Sequence, residues 1–172
     1  TFQIGEKVAT RSAAGKTLTL FTDCYSNMVG GSADLSGPNA IKFALDSGVY
    51  SPNSRDGRYI HFGIREFAMA CISNGIALHG GLKPFCATFL VFSDYLRPAL
   101  RLSSIMNLPV IYVLTHDSIY VGEDGPTHQP IEQMAMFRSQ PNTYTFRPCD
   151  FTETCASYAV ALNKLAPSVM VL

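Results

Sequence analysis

The chain has 172 residues, 47% of them hydrophobic, which suits one domain with a sizeable core. Thirteen basic residues balance thirteen acidic ones, so no global field draws the chain to nucleic acid or to an anionic membrane, and neither is expected as a partner. Charged residues make up only 15%, against about 25% in an average soluble domain, so part of the surface is expected to be covered by other domains or subunits. No stretch approaches the roughly 18 apolar residues of a membrane span. Cys24, Cys71, Cys86, Cys149 and Cys155 form no metal-finger or CxxC spacing and read as free thiols of a reducing compartment. The chain starts at Thr1 and stops inside the apolar run Val169-Met170-Val171-Leu172, so both ends read as cut from a longer protein.

In chain order, Glu6 to Ala14 reads as the start of a helix, whereas Thr17 to Phe21 has strand propensity. Local pattern leaves that segment open. Met28 to Ser32 is a strand candidate, and Asn39 to Arg58 is loosely structured, with Gly48, Pro52, Asn53, Ser54, Asp56 and Gly57 clustered. Arg65 to Leu78 reads as a helix whose inward face would be Phe67, Ala68, Cys71, Ile72, Gly75 and Ile76. Lys83 to Phe89 is a strand, followed by a helix from Asp94 to Met106 with Leu96, Leu100 and Ile105 inward. Pro109 to Thr115, nearly all apolar and β-branched, reads as a strand buried on both faces. Pro130 suits the first position of a helix over Ile131 to Arg138. Thr143 to Phe146 and Ser168 to Leu172 complete the strands, and Asp150 with Glu153 has capping-pair spacing before a helix over Cys155 to Lys164. This alternation predicts an α/β domain with a mainly parallel sheet, where ligands sit beyond the carboxyl ends of strands. That rule points to the segment after Thr115.

There, His116-Asp117-Ser118-Ile119-Tyr120-Val121-Gly122-Glu123-Asp124-Gly125-Pro126-Thr127-His128 crowds imidazoles and carboxylates into a glycine-containing loop. Such groups bind hydroxyls and phosphates, shuttle protons or hold a metal; the plain alternative is a solvated turn capping the next helix. Glu66 falls in the first turn of its helix, where the macrodipole alone would account for a carboxylate. Phe89, Phe92 and Tyr95 recur every third residue and form either ordinary core or a stacking surface for a flat heterocycle. Gly30-Gly31-Ser32-Ala33-Asp34-Leu35 suggests by itself only a tight turn.

Together GGSADL, GIREFAM, ATFLVFSDY, THDSIYVGEDGPTHQP and RPCD resemble transketolase, in that family's order and at its distances. The resemblance runs from about Arg11 to Leu172. It implies that residues 1–172 are the pyrimidine-binding domain of a longer enzyme: a three-layer α/β/α fold with a mostly parallel six-stranded sheet, in which Thr17 to Phe21 is helical. The activity implied is transfer of two-carbon ketol units between sugar phosphates, as in the pentose phosphate pathway, in a cytoplasmic or plastid homodimer with the site at the subunit interface. The cofactor implied is thiamine diphosphate, its diphosphate and a Mg2+ or Ca2+ ion held by a different, absent domain. No metal ligand is expected within this chain.

By the same resemblance Glu66 matches the catalytic glutamate that shares a proton with the pyrimidine N1′ and so favours the imino form that deprotonates the thiazolium. Phe92 matches the main stacking aromatic, with Phe89 and Tyr95 completing the pocket and Asp34 near the cofactor. His116 matches a contact to substrate phosphate, Asp124 a contact to a hydroxyl, and Arg11 the arginine at the phosphate end of the sugar. His128 matches an imidazole close to the thiazolium and the donor carbonyl. Pro38 stands where many members carry a phosphate-binding Ser, and proline has no N–H to donate. Tyr120 stands where Gly is frequent, beside the channel or the subunit contact. Two other readings use the same residues: ketol transfer to formaldehyde, as in dihydroxyacetone synthase, and a metal-dependent hydrolase with His116, Asp117, Asp124 and His128 as ligands.

Overall fold

Apolar runs of period two alternate along the chain with helical ones, and in the computed structural model, which describes residues 6–42 and 46–172, they assemble into a layered sheet. The elements in order are α1 (Thr10–Cys24), β1 (Met28–Ser32), β2 (Tyr59–His61), α2 (Glu66–His79), β3 (Lys83–Phe89), α3 (Ser93–Met106), β4 (Ile111–Thr115), α4 (Gln133–Ser139), β5 (Tyr144–Phe146), α5 (Phe151–Leu162) and β6 (Ser168–Val171). The six strands lie in the order β2-β1-β3-β4-β6-β5, and every described pairing is parallel. Parallel strands need crossovers over the faces, so both faces are covered by helices.

Strand alternation sends neighbouring residues to opposite cores. Cys86, Tyr112, Leu114, Val169 and Val171 pack with α2, α3 and Phe137 of α4. Phe85, Ala87, Ile111, Val113 and Met170 pack on the other side with α1 and α5. Thr17 to Phe21 belongs to α1: burial of Ala14, Thr17 and Leu18 against that second face overrides the local strand propensity. The cysteines are free thiols, and complete burial pushes that of Cys86 up to about 12, which keeps it un-ionised. No helix among the described residues is long and apolar enough to cross a membrane.

Several local expectations are corrected. Residues 59–61 pair with β1 as an edge strand that three residues of mixed polarity did not announce, and residues 43–45 of the loose stretch before it lie outside the described part. In α2 the buried side chains are Glu66, Met69, Ala70, Ser73 and Asn74, while Phe67 and Ile72 are exposed. The expected face was rotated because this helix is apolar nearly all round, so periodicity cannot select one side. Ile105 of α3 is likewise exposed. Pro130 does not open a helix: Ile131 N–H donates to Gln133 Oε1, and Gln133 Nε2 reaches Asp94 Oδ1, so the turn is spent docking Gln133 on the start of α3 and α4 begins there. Helix α5 starts earlier than expected, at Phe151, with Asp150 Oδ1 accepting from Glu153 N–H at 2.8 Å and Glu153 Oε2 accepting from Cys149 N–H at 2.9 Å.

A buried polar knot ties α2, α3 and β4 together. Asn74 Nδ2 donates to Ala99 O, and Asn74 Oδ1 accepts from Ser103 Oγ and from Tyr112 Oη. Because these groups are shut away from water, removing one partner leaves the others unsatisfied. Asn74→Ala is expected to cost about 2 kcal/mol or more of stability, read as a lowered urea midpoint with an unchanged slope. A midpoint equal to wild type would show that the knot is not holding α2.

Candidate functional site

The segments that leave β1, β3 and β4 meet at the carboxyl edge of the sheet, and the segment after β2 starts from the same edge. The last rung between β3 and β4 pairs Phe89 with Thr115, so the segments leaving these two strands start side by side. His116 then takes φ +61, a left-handed turn that bends the chain directly after a buried strand. The ring of His116 folds onto Phe89, with centroids 3.7 Å apart and planes 26° apart. Phe89 stacks in turn on Phe92 at 6.0 Å, and Phe92 contacts Tyr95 at 6.3 Å. His128 stands edge-on to both Phe92 and Phe89, at 5.2 and 6.1 Å. The expected aromatic triad and both imidazoles thus form one cluster, running from buried Phe89 out to exposed Tyr95.

From the other side comes α1. Gly15 faces Ala40 so closely that a Cβ there would run into its carbonyl, and this near approach seats the loop after β1 against the helix. Arg11, one turn earlier on α1, reaches the same loop: Nη1 donates to Pro38 O at 3.4 Å and to His116 Nε2 at 2.9 Å. The Pro38 position therefore contributes a backbone carbonyl to Arg11, in place of the side-chain donor many relatives were expected to offer. Arg11, His116, Asp117, Tyr120, Asp124 and Leu172 line a cleft of about 530 Å³. Tyr120 is 90% exposed at its rim.

A guanidinium only donates, so His116 Nε2 must accept and its proton must sit on Nδ1. That nitrogen lies 2.8 Å from Thr115 Oγ1, whose own proton goes to Asn39 Oδ1 at 2.7 Å. Burial pushes the His116 pKa below the ordinary imidazole range, and the Arg11 charge adds to this; Asp124 and Asp117 oppose it and His128 reinforces it. Asn39 and Thr115, both fully buried, went unnoticed in the sequence, where nothing but polarity marks them.

Glu66 is the first residue of α2, which follows β2 and so begins at the same carboxyl edge. It is 8% exposed, and its carboxylate has no hydrogen-bond or ion-pair partner among the described residues. Asp34 occupies the loop after β1 with φ +63, exposed and outside the lining of the cleft. The metal reading loses its geometry. Both nitrogens of His116 are engaged, and Asp117 Oδ2 accepts from Arg147 Nε at 2.8 Å. Among the described residues, no three of His116, Asp117, Asp124 and His128 converge as ligands; the one such group is Cys149, Asp150 and Glu153, which are capping partners.

Residues 6–172 match the family model described as the transketolase pyrimidine-binding domain. The chain belongs to that family. It is 53% identical over 173 residues to a transketolase of Treponema pallidum, covering 99% of this chain and 26% of that protein. Among solved structures it superposes on transketolase from Leishmania mexicana with a TM-score of 0.92 and 47% identity, covering 95% and 25% of the two chains. A Pichia stipitis transketolase in complex with sedoheptulose 7-phosphate gives 0.94 and 40%, covering 99% and 26%. The domain thus spans about a quarter of the length of the relatives it matches. These three relatives carry the transketolase name, and nothing in them favours formaldehyde as an acceptor.

The lowered pKa of His116 has a signed consequence. The folded domain holds fewer protons on this ring than the unfolded chain, so its contribution to stability is present above about pH 6.5. That contribution falls as pH drops from there through the lower folded pKa. His116→Gln is expected to flatten the decline of stability with acid in this window, measured by urea unfolding at a series of pH values. An unchanged pH profile would show that the ring titrates as it does in the unfolded chain.

Proposed function

We propose that the domain supplies the aminopyrimidine-binding half of a thiamine diphosphate site, and the phosphate end of a sugar channel, in an enzyme that moves two-carbon ketol units from ketose phosphates to aldose phosphates. The observation that carries this reading is Glu66, a residue only 8% exposed whose carboxylate has no protein partner among the described residues, at the edge of the sheet where the aromatic cluster lies. Its carboxylate oxygens are not among the buried unpartnered atoms, so they open onto that edge, where a ring nitrogen carrying a proton supplies a charge-assisted partner. Phe89, Phe92 and Tyr95 offer flat apolar faces for the same heterocycle. The residues present therefore fit the cofactor, and when bound it supplies the nucleophilic carbon and the electron sink for carbon–carbon cleavage.

In this reading Glu66 holds a proton at N1′, and the aromatic faces fix the ring plane and exclude water. Arg11 receives the phosphate of the sugar, with His116 backing that contact through its hydrogen bond to the guanidinium, Asp124 receives a hydroxyl, and His128 the reacting end of the donor. Asp34 lies at the border of the cofactor site. The diphosphate and its Mg2+ or Ca2+ ion are assigned to a diphosphate-binding domain outside this chain, supplied by the partner in a homodimer. In support, Ile64, Phe67, Tyr95 and Ile131 are all exposed on segments that start at the carboxyl edge. The sugar phosphate bound by the Pichia stipitis relative supports the substrate class. Free thiols suit a reducing compartment, and the cytoplasm and the pentose phosphate pathway are the proposed setting.

Glu66→Gln in the full-length enzyme is expected to slow exchange of the thiazolium C2 proton by about a hundredfold or more, measured by quenched-flow NMR. Exchange at the wild-type rate would remove Glu66 from this role. Ribose 5-phosphate and formaldehyde offered as competing acceptors test the substrate class, and a preference for formaldehyde would overturn it.

A further inference from the structure

The hydrogen bonds behind Arg11 run in one direction only. Arg11 Nη1 can only donate to His116 Nε2, so His116 Nδ1 donates to Thr115 Oγ1 and Thr115 donates to Asn39 Oδ1. The other end of the same carboxamide, Asn39 Nδ2, faces Ser32 Oγ at 3.4 Å, and Ser32 Oγ also accepts from Leu35 N–H at 2.7 Å. A reversed carboxamide would send the Thr115 proton to His116 Nδ1, put a proton on Nε2, and set N–H against N–H at Arg11. Ser32, Asn39 and Thr115 are fully buried; Ser32 and Thr115 end β1 and β4, so the array is part of the rigid sheet edge and water has little access to it.

We propose that Asn39 and Thr115 are positioning residues of the cleft: their hydroxyl-to-carboxamide chain holds His116 in the tautomer whose Nε2 lone pair steers Arg11 into place before a phosphorylated sugar arrives. A neutral ring serves this purpose and a charged one defeats it, because an imidazolium would repel the guanidinium at 2.9 Å. The charged groups facing the ring are Arg11 from α1, Asp117 beside it, and Asp124 and His128 from the loop beyond; burial and Arg11 outweigh the two carboxylates and hold the ring neutral. Preorganising the guanidinium removes ordering entropy that binding would otherwise carry, so the effect should appear in affinity for the anion. The inference rests on assigning this cleft to a sugar phosphate.

The test uses the full-length enzyme and compares xylulose 5-phosphate with unphosphorylated xylulose. Thr115→Val keeps the shape of the side chain and cuts the chain, whereas Thr115→Ser keeps the hydroxyl. Thr115→Val is expected to raise KM for xylulose 5-phosphate about tenfold more than KM for xylulose, the equivalent of about one charge-assisted hydrogen bond. It should also move the acid limb of kcat/KM for the phosphorylated donor, and Thr115→Ser should restore both. Equal losses on the two substrates, or an unchanged ratio, would overturn the positioning role. A wild-type enzyme that does not distinguish the two sugars would overturn the sugar-phosphate reading and this inference with it; an intact preference with an unaffected Thr115→Val variant removes this inference alone. Should Thr115→Val not fold, nitrogen NMR of labelled histidine in the wild-type enzyme decides. Resonances assigned to His116 by their loss in His116→Gln are expected to show a neutral ring with the proton on Nδ1, and a proton on Nε2 would overturn the proposal.

Discussion

The rung that pairs Phe89 with Thr115 is the constraint from which the site grows. Parallel pairing brings two strand ends level, and the left-handed turn at His116 folds an imidazole back onto the ring beside it. The stack that results is both the end of an aromatic wall and the floor of a polar cleft. Few other placements would let one ring touch a heterocycle-sized apolar surface and an arginine at once.

Electrostatics divide the edge into two unlike halves. At one end Glu66 is a carboxylate left without a protein partner among the described residues, on the first residue of a helix whose dipole tolerates it. At the other, Arg11 is a fixed cation resting on a neutral imidazole and a backbone carbonyl. The aromatic cluster leaves β3, which lies between β2 and β4 in the order of the strands. A ligand with a protonatable heterocycle at one end and an anion reaching the other matches that pattern, and so does a cofactor and substrate used together.

Tyr95, Ile64 and Ile131 are exposed apolar side chains at the same edge, and the domain spans about a quarter of its relatives' length. A scarcity of charge over the whole chain fits a unit that buries much of its surface against others. In the proposed function the catalytic burden of Glu66 and the binding burden of Arg11 are shared with an assembly, for which this domain supplies the rigid edge that aims them.

The sequence by itself determined the layered α/β class, because long apolar runs and amphipathic stretches alternate at the two periods that strands and helices require. It also marked the loop after Thr115, because imidazoles and carboxylates at that density after a buried strand have few structural uses. Only tertiary packing decided that Thr17 to Phe21 is helical, since burial against the sheet outweighs local propensity. Packing also decided which side of α2 faces inward, since a helix apolar on most sides carries no phase. The chain Asn39–Thr115–His116–Arg11 was illegible for a deeper reason: its members lie up to 105 residues apart in sequence, and a hydrogen bond's direction exists only once donor and acceptor have been brought face to face.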